Sequence, residues 1–284
     1  MRKRSILLFA LAFVFILNVQ VRAQQAKKET AYRLVWQDEF NQKGAPDSAK
    51  WDYEIGFTRN QEPQWYQKEN AYCKDGFLFI EARKEKKRNP NYVANSKDYR
   101  LSRRYAEYTS ACLITKGKFE FQYGKVVMRA KIDTRKGMWP AFWMLGVNRG
   151  PVAWPACGEV DIMEYYRGML LANAVNEGKK ESQWDSMKWP DDRLGGKHWA
   201  DDFHEWELLW DKDKMIISMD GKELNTIDLK ETTNFHRGNN PFREKFYLLL
   251  NLALGQGGEE IPEANLPGKL VVDYVRVYQL SEKL

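Results

Sequence analysis

Short runs of alternating apolar and polar residues, separated by turn signals, recur along most of this chain. Successive side chains of a β-strand point to opposite faces, so this alternation predicts strands that are buried on one face. No long stretch keeps the period of an amphipathic helix, and the sequence therefore predicts an all-β protein. The clearest runs cover residues 77–82, 118–123, 125–132, 215–219, 246–253 and 270–278.

The segments between these runs favour turns. Asp220-Gly221 stands between two alternating runs, which is a strong short-range signal of a β-hairpin. Many short strands with regular turns, and no tandem repeat, predict a sandwich of two packed sheets. The basic run over residues 84–88 leads into Asn-Pro-Asn and is interpreted as a solvated loop.

The first residues of the chain have the pattern of an export signal. Three basic residues precede an apolar run over residues 6–17, and Ala23 ends a small-residue cleavage pattern. The apolar run is too short to predict a transmembrane span, although an uncleaved anchor is the alternative. We predict a signal peptide over residues 1–23 and an exported protein, whether periplasmic, on the cell surface or secreted, without stable membrane insertion.

We predict that residues 24–284 form one domain and that the protein is a monomer. The composition of this part of the chain argues against nucleic-acid binding and against a zinc site. Cleavage after Ala23 removes four basic residues and no acidic ones, so the formal charge falls from +6 to +2 and gives no reason to expect nucleic acid as a partner. Three His and three Cys are too few for a zinc-ribbon or Cys₂His₂ site. Cys73, Cys112 and Cys157 allow at most one internal disulfide, and three buried free thiols are the alternative.

A cluster of three carboxylates lies within six residues at Glu159, Asp161 and Glu164. On a regular strand Glu159 and Asp161 share a face, and Met163 would be the next residue on it. A β-bulge at Ile162 and Met163 would return Glu164 to that face, and such bulges are common beside active sites. Four strand steps span about 13 Å, and two glutamates leaning inward would approach to about 5 Å, as in a retaining glycosidase. The alternative is a solvated acidic strand, although crowded carboxylates repel one another unless function retains them.

The cluster and its surroundings resemble glycoside hydrolase family 16, in the bulged-motif branch of laminarinases and agarases. The motif itself is Glu159-Val-Asp-Ile-Met-Glu164, and the segment from Gly137 to Leu145 resembles the strand that precedes it. Further matching segments stand in family order over roughly residues 33–280, among them 34–40, 60–72, 203–206 and 273–278. This ordered set is far more specific than an isolated acidic motif.

The resemblance implies a β-jelly-roll sandwich with a concave sugar-binding cleft, and hydrolysis of internal β-linkages of a polysaccharide with retention. By motif position, Glu159 would be the nucleophile, Glu164 the general acid/base, and Asp161 a hydrogen-bond partner of the nucleophile. The two-carboxylate reaction needs no cofactor. Family members often hold a structural calcium between the first and last strands, and Glu39 and Asp273 occupy the matching segments with hard oxygen ligands.

Four residues are candidates for substrate binding. Trp139 and Trp143 are four positions apart on one predicted strand, so they share a face. An indole can cover the apolar face of a pyranose ring while its N–H bonds a hydroxyl. Asn60 and Trp65 lie in a segment that resembles an early cleft segment of the family. Core packing is the alternative for each Trp.

The resemblance favours a β-1,3-glucan or mixed β-1,3/1,4-glucan as substrate. Many relatives that cut β-1,3-glucan carry a His on the strand after the acid/base, and residues 170–177 contain none. A β-galactan of agar, carrageenan or keratan type is therefore the alternative substrate, and a non-catalytic lectin is the alternative function. The predicted loops over residues 58–70, 147–156 and 176–196 carry basic side chains, which would favour sulfated or acidic chains unless they are simply solvated.

Overall fold

The computed structural model describes residues 32–196 and 198–281. The predicted signal peptide over residues 1–23 lies outside the described residues. Two β-sheets pack face to face, with only short helical turns between the strands. The all-β two-sheet sandwich predicted from alternation is confirmed. None of the helices in the described ranges is long and apolar enough to span a membrane.

The larger sheet has ten strands within the described residues. These strands are β1 (Tyr32–Asp38), β3 (Gln64–Tyr66), β4 (Ala71–Lys74), β5 (Phe77–Arg88), β6 (Tyr105–Ser110), β8 (Gly124–Lys131), β13 (His204–Trp210), β14 (Lys214–Met219), β15 (Lys222–Asp228) and β17 (Gly268–Leu280). Their order is β15-β14-β13-β8-β17-β5-β6-β3, with β1 paired to β17 and β4 paired to β5.

The smaller sheet has seven strands in the same part of the chain. These strands are β2 (Asp52–Glu54), β7 (Cys112–Ile114), β9 (Met138–Gly146), β10 (Glu159–Tyr166), β11 (Met169–Glu177), β12 (Ser182–Pro190) and β16 (Phe246–Leu254). Their order is β12-β11-β10-β9-β16-β7-β2, and each adjacent pair is antiparallel. One helical turn, α1, covers Tyr99–Ser102, and 3₁₀ turns cover Lys68–Asn70, Asp191–Arg193, Trp199–Asp201, Pro241–Arg243, Gln256–Gly258 and Glu263–Asn265.

The main hydrophobic core lies between the two sheets. Met128 and Leu208 of the larger sheet and Phe142, Ile162 and Met163 of the smaller one are completely buried within it. Burying an apolar side chain of this size contributes about 1.5–3 kcal/mol, so the inward faces of both sheets hold the sandwich together. The other face of the smaller sheet carries polar side chains and a second, smaller hydrophobic cluster that includes Trp143.

Two hairpins have tight turns that require left-handed backbone conformations. Asp220 and Gly221 have φ of 51° and 75° between β14 and β15, which confirms the hairpin predicted there. Arg167 and Gly168, with φ of 51° and 73°, make the corresponding turn between β10 and β11. Consecutive positive φ values match the right-handed twist of the flanking strands, so this turn sets the register of the hairpin that carries the carboxylates.

Three predictions about local structure are wrong. Residues 84–88 belong to β5 rather than to a loop, because this basic segment pairs with β6 and alternates between exposed and half-buried side chains. Residues 118–123 form no strand beyond a single bridge at Phe121, and Phe119 and Phe121 stack instead at 5.6 Å. The predicted loop over residues 176–196 contains β12, which pairs with β11 along its whole length.

The three cysteines are separate buried thiols. Cys73, Cys112 and Cys157 are all free, although an exported protein would permit a disulfide. Of the two alternatives left open by the sequence, the structure has the free thiols. Burial raises the pKa of Cys112 to about 11, which keeps this thiol protonated and unreactive near neutral pH.

Candidate active site

The bulge predicted in the acidic segment is present in β10. The register against β9 shifts between Asp161 and Met163, and the register against β11 shifts between Asp161 and Glu164. Ile162 and Met163 are both completely buried, so two consecutive side chains point into the core. Glu164 thereby returns to the face that carries Glu159 and Asp161, which confirms the bulge and its effect.

A glycine precedes the strand that carries the carboxylates. Gly158 has φ of 76°, and a β-carbon at this position would lie 2.9 Å from Phe246 and 3.1 Å from Pro241. Any other residue would therefore be strained and would collide with the beginning of β16. The glycine lets the chain turn sharply from the β9–β10 loop so that Glu159 is the first residue of β10.

The three carboxylates line a cavity of about 760 Å³ on the face of the smaller sheet that points away from the core. Asp161 is buried, whereas Glu159 and Glu164 are half-buried and reach the cavity. Aromatic and polar side chains from neighbouring strands and loops complete the lining, including Asn60, Trp139, Trp143, Trp154, Asn173 and Trp184. The predicted carboxylate cluster therefore stands together in one concave site.

Each carboxylate accepts a hydrogen bond from a different partner or pair of partners. The indole N–H of Trp154 donates to Glu159 over 3.0 Å, and that of Trp139 donates to Glu164 over 2.8 Å. The side-chain amide of Asn173 lies 3.1 Å from Asp161 and 3.4 Å from Glu164. Asn173 stands opposite Asp161 in register and bonds one of its two oxygens, and the hydrogen bond from Asp161 to the nucleophile stays a prediction.

Burial raises the pKa of all three carboxyl groups, and the charge of a neighbouring carboxylate adds to the rise for Glu159 and Glu164. Burial is the largest cause for Glu159, whose pKa rises to about 8 with a contribution from the charge of Asp161. Burial also raises the pKa of Asp161 to about 6, against the opposing hydrogen bond from Asn173. The pKa of Glu164 is raised well above its ordinary value, first by burial and then by the charge of Asp161. The cluster therefore retains protons to a higher pH than isolated carboxylates would.

The surroundings of the two glutamates are electrostatically different. Glu159 is close enough to Arg59 and Arg149 for both cations to lower its pKa. Glu164 instead has Asp161, Glu159 and Glu62 as charged neighbours, and all three raise its pKa. Of the two glutamates, Glu164 is therefore the one that holds its proton, and Glu159 is the one that ionises first.

The structure brings three of the four predicted substrate-binding residues to the cavity. Asn60 lines it with its amide 3.2 Å from the carboxylate of Glu62. Trp139 and Trp143 share the cavity face of β9, as their spacing predicts. Trp143 is only 6% exposed, since its N–H bonds Asn251 and the guanidinium of Arg59 lies over its ring. Trp139 is therefore the more accessible indole of the two.

The structure does not place Trp65 in the cavity, and the prediction for this residue is corrected. Trp65 belongs to β3 and is 5% exposed. Its ring packs edge-on against Phe57 with a centroid distance of 5.5 Å and would lie 3.4 Å from a β-carbon placed on Gly56. These neighbours form a small hydrophobic cluster with Ala106, so packing accounts for this tryptophan.

Glu39 and Asp273 do not fit a calcium site as they stand. Glu39 accepts two hydrogen bonds of 2.8 Å from Arg276, and Asp273 is paired with Arg129. A cation already neutralises each carboxylate, and no group of three His, Cys, Asp or Glu side chains in residues 32–196 and 198–281 is placed so that it could hold a metal ion. The arrangement gives no support for the structural calcium, which stays a prediction from the family resemblance alone.

The bonds that two residues make to the carboxylates were not predicted from the sequence, although Trp154 was expected to offer loop aromatic surface to sugar rings. Trp154 lies in a predicted loop, and its bond to Glu159 depends on how that loop folds back over the strand. Asn173 had a detectable signal, because a two-residue turn at Arg167-Gly168 places it near Asp161 on the neighbouring strand. Counting residue pairs back from this turn along β10 and β11 brings Asn173 opposite Asp161.

Comparison with known proteins gives a consistent family. Residues 63–276 match the sequence pattern of the family described as Glycosyl hydrolases family 16. The chain is 33% identical over 302 residues to a β-glucanase of Rhodothermus marinus, covering 99% of this chain and 96% of that protein. It is 34% identical over 274 residues to glucan endo-1,3-β-glucosidase A1 of Niallia circulans, covering 87% of this chain but only 38% of that longer protein.

A solved structure is similar over most of the chain. It comes from work on endo-acting O-glycanases with which prominent members of the human gut microbiota initiate mucin breakdown. The two chains are 33% identical with a TM-score of 0.80, and the match covers 88% of this chain and 92% of that one. The two proteins therefore share their fold over most of their length.

Proposed function

The chain belongs to glycosyl hydrolases family 16 and has that family's jelly-roll sandwich, and from this premise we propose that it cuts internal β-linkages of a β-1,3-glucan or mixed β-1,3/1,4-glucan with retention. The observation that carries the proposal is the bulge in β10, which turns two glutamates of different electrostatic surroundings toward one cavity. The glucan assignment is supported by the two similar curated enzymes, one of which the chain matches over nearly its full length.

The proposed reaction assigns a separate task to each carboxyl group. Glu164 gives its proton to the leaving oxygen while Glu159 attacks the anomeric carbon, forming a covalent glycosyl-enzyme. Glu164 then removes a proton from water, which releases the sugar from Glu159 with net retention. Asp161 keeps a negative charge between them, and this charge helps Glu164 to remain protonated until the bond breaks.

The cavity is also suited to holding a chain of sugar rings. Trp154 and Trp184 are neighbours with ring centroids 6.3 Å apart and planes tilted by 56°, and both are exposed. Their position on the β9–β10 loop and on β12 provides aromatic surface on one side of the carboxylates, and Trp139 provides it on the other. Such surfaces bind pyranose rings through their apolar faces, which favours a polysaccharide over a small glycoside.

A specific observation supports a second substrate class. The strand after β10 has no His among residues 170–177, where many relatives that cut β-1,3-glucan carry one, and it presents Asn173 to Asp161 and Glu164. The similar structure with a TM-score of 0.80 belongs to the O-glycanase work on mucin. A host-type β-galactan is therefore the second candidate substrate, with the same two-glutamate mechanism.

We also propose that the protein is exported and acts as a monomer on its polysaccharide. The support is the pattern of basic, apolar and small residues over residues 1–23, together with a substrate too large to enter a cell. A membrane anchor is the alternative, and N-terminal sequencing of the protein recovered from its native host distinguishes a chain cleaved after Ala23 from an uncleaved one.

The function is tested by measuring reducing ends released from a panel of β-glycans. Laminarin and barley β-glucan represent the first substrate class, and agar, carrageenan and keratan-type chains represent the second. Internal cleavage gives a ladder of oligosaccharides early in the reaction, and the initial anomer shows whether configuration is retained. Binding without release of reducing ends from any chain would identify a lectin and remove the proposed hydrolase.

Removing each of the two indole N–H groups should shift a different limb of the pH profile. The N–H of Trp139 lowers the pKa of Glu164, so Trp139→Phe raises that pKa and moves the alkaline limb of kcat/KM upward by about one pH unit. The N–H of Trp154 lowers the pKa of Glu159, so Trp154→Phe raises that pKa and moves the acid limb upward instead. Profiles in which both variants shift the same limb would contradict the assignment of acid and nucleophile.

A further inference from the structure

The Glu159 end of the cavity carries cationic side chains that take no direct part in the proposed bond cleavage. Arg59 and Arg149 line this end, where both lower the pKa of Glu159. Lys188 lines the opposite end, two strands from Glu164 in the sheet register. Four carboxyl groups also face the cavity, and their charge would repel an acidic glycan unless cations offset it.

Arg59 covers the ring of Trp143, so this part of the cavity wall beside the nucleophile is cationic rather than aromatic. Its guanidinium lies 4.9 Å from the centre of the Trp143 ring, and the indole is only 6% exposed. Glu54 forms an ion pair with one terminal nitrogen of the Arg59 guanidinium and holds the side chain in place. A sugar that reaches this wall meets a positioned guanidinium, whose planar N–H donors suit sulfate and carboxylate oxygens.

Arg149 provides a second cation on the same side of the cavity. Its backbone is anchored, since its N–H donates to Gly146 over 2.9 Å and its carbonyl accepts from Lys116 over 2.6 Å. Its guanidinium is exposed and makes no hydrogen bond or ion pair with any residue the structure describes. The loop therefore fixes the position of Arg149 but leaves its donors available to a ligand.

We propose that Arg59 and Arg149 form an anion subsite beside Glu159, which binds an acidic substituent, a sulfate ester or a carboxylate, on the glycan chain. The inference rests on the proposed function and extends it from the backbone of the polysaccharide to the groups attached to that backbone. The two cations offset the carboxylate charge at one end of the cavity, so an acidic ring can approach the nucleophile there.

The test uses one glucan backbone in a neutral form and in two acidic forms. Laminarin, lightly sulfated laminarin and laminarin oxidised to carboxylates at C6 are compared by kcat/KM. Arg149→Ala should lower kcat/KM on the preferred acidic form about tenfold relative to laminarin, mainly through KM, because a charge-assisted contact to the bound substrate is lost. Arg59→Gln should act in the same direction while keeping a polar group beside Glu54. Added salt should weaken the wild-type preference as well.

Arg237→Ala is the matched control, since Arg237 is an exposed arginine outside the cavity lining, and it should leave the acidic-to-neutral ratio unchanged. A ratio that neither Arg149→Ala nor Arg59→Gln changes would overturn the subsite while leaving glucan hydrolysis intact. If the wild type cleaves none of the three chains, the proposed function fails separately. Calorimetric binding of sulfated and oxidised laminarin then decides the subsite: about tenfold weaker binding by Arg149→Ala supports it, and equal binding overturns it.

Discussion

Glu159→Ala is expected to lower the turnover of a β-glycan by roughly four to six orders of magnitude while leaving sugar binding nearly intact. The substitution removes the nucleophile, so no covalent glycosyl-enzyme can form. The cavity and its aromatic surfaces remain, and removal of one carboxyl from a crowded cluster relieves repulsion rather than adding it. Initial rates of reducing-end release and affinity for an oligosaccharide measure the two effects separately.

Azide is the decisive addition to this experiment. A small anion that fits the space left by the Glu159 side chain can attack the anomeric carbon directly, and the product is a glycosyl azide of inverted anomer. Rescue by azide, and its absence in the wild type, would identify Glu159 as the nucleophile. Glu231→Ala is a matched control, since Glu231 is an exposed glutamate outside the cavity and should keep full activity. Near-wild-type turnover of Glu159→Ala would show the assignment to be wrong.

Glu164→Gln is expected to reduce hydrolysis of the natural polysaccharide by about 10²–10⁴-fold, the usual size of general acid catalysis. An aryl glycoside with a good leaving group needs little protonation, so its glycosylation step should lose much less. The comparison of kcat/KM on the two substrates isolates the acid role, because a merely structural defect would lower both equally. Equal losses on activated and natural substrates would count against Glu164 as the proton donor.

The same variant should be at least as stable as the wild type at neutral pH. The pKa of Glu164 is raised above its ordinary value of 4.5, so the stability that comes from the protonated form is fully present below that value. This stability is lost as pH rises through the raised pKa, because the buried group must then ionise. Glutamine cannot ionise, so the melting temperature of Glu164→Gln should exceed that of the wild type increasingly as pH rises. A lower melting temperature would instead indicate that the substitution disturbs the fold and would invalidate the kinetic comparison.

The arrangement of the carboxylates was predictable because it depends on local geometry. Alternation assigns Glu159 and Asp161 to one face, and the extra residue between Asp161 and Glu164 is visible in the spacing alone. The structure has the bulge at the predicted place, with Ile162 and Met163 both in the core. The alternation of residues within a strand assigns each side chain to one of its two faces, so this prediction did not require the neighbouring strands to be known.

The tryptophans show where this reasoning stops. Trp65 and Trp143 have the same residue type and both lie in strands, yet Trp65 packs against Phe57 while Trp143 lines the cavity beneath Arg59. The basic residues 84–88 are in β5 because β6 pairs with them, not because their own propensity favours a strand. Packing of this kind depends on which segments of the chain become neighbours, and local alternation carries no information about that choice.

The sequence by itself determined the all-β class, the faces of the strands, the bulge and, through an ordered set of motifs, the family. Only the tertiary structure decided which groups surround each carboxylate. Trp139, Trp154 and Asn173 bond the three acids from β9, the β9–β10 loop and β11. Arg149 reaches Glu159 from the same β9–β10 loop, and Arg59 reaches it from a separate loop. Periodicity states which side of a strand a residue occupies, whereas the pKa of a carboxyl depends on the distances to charges and donors brought there by other strands.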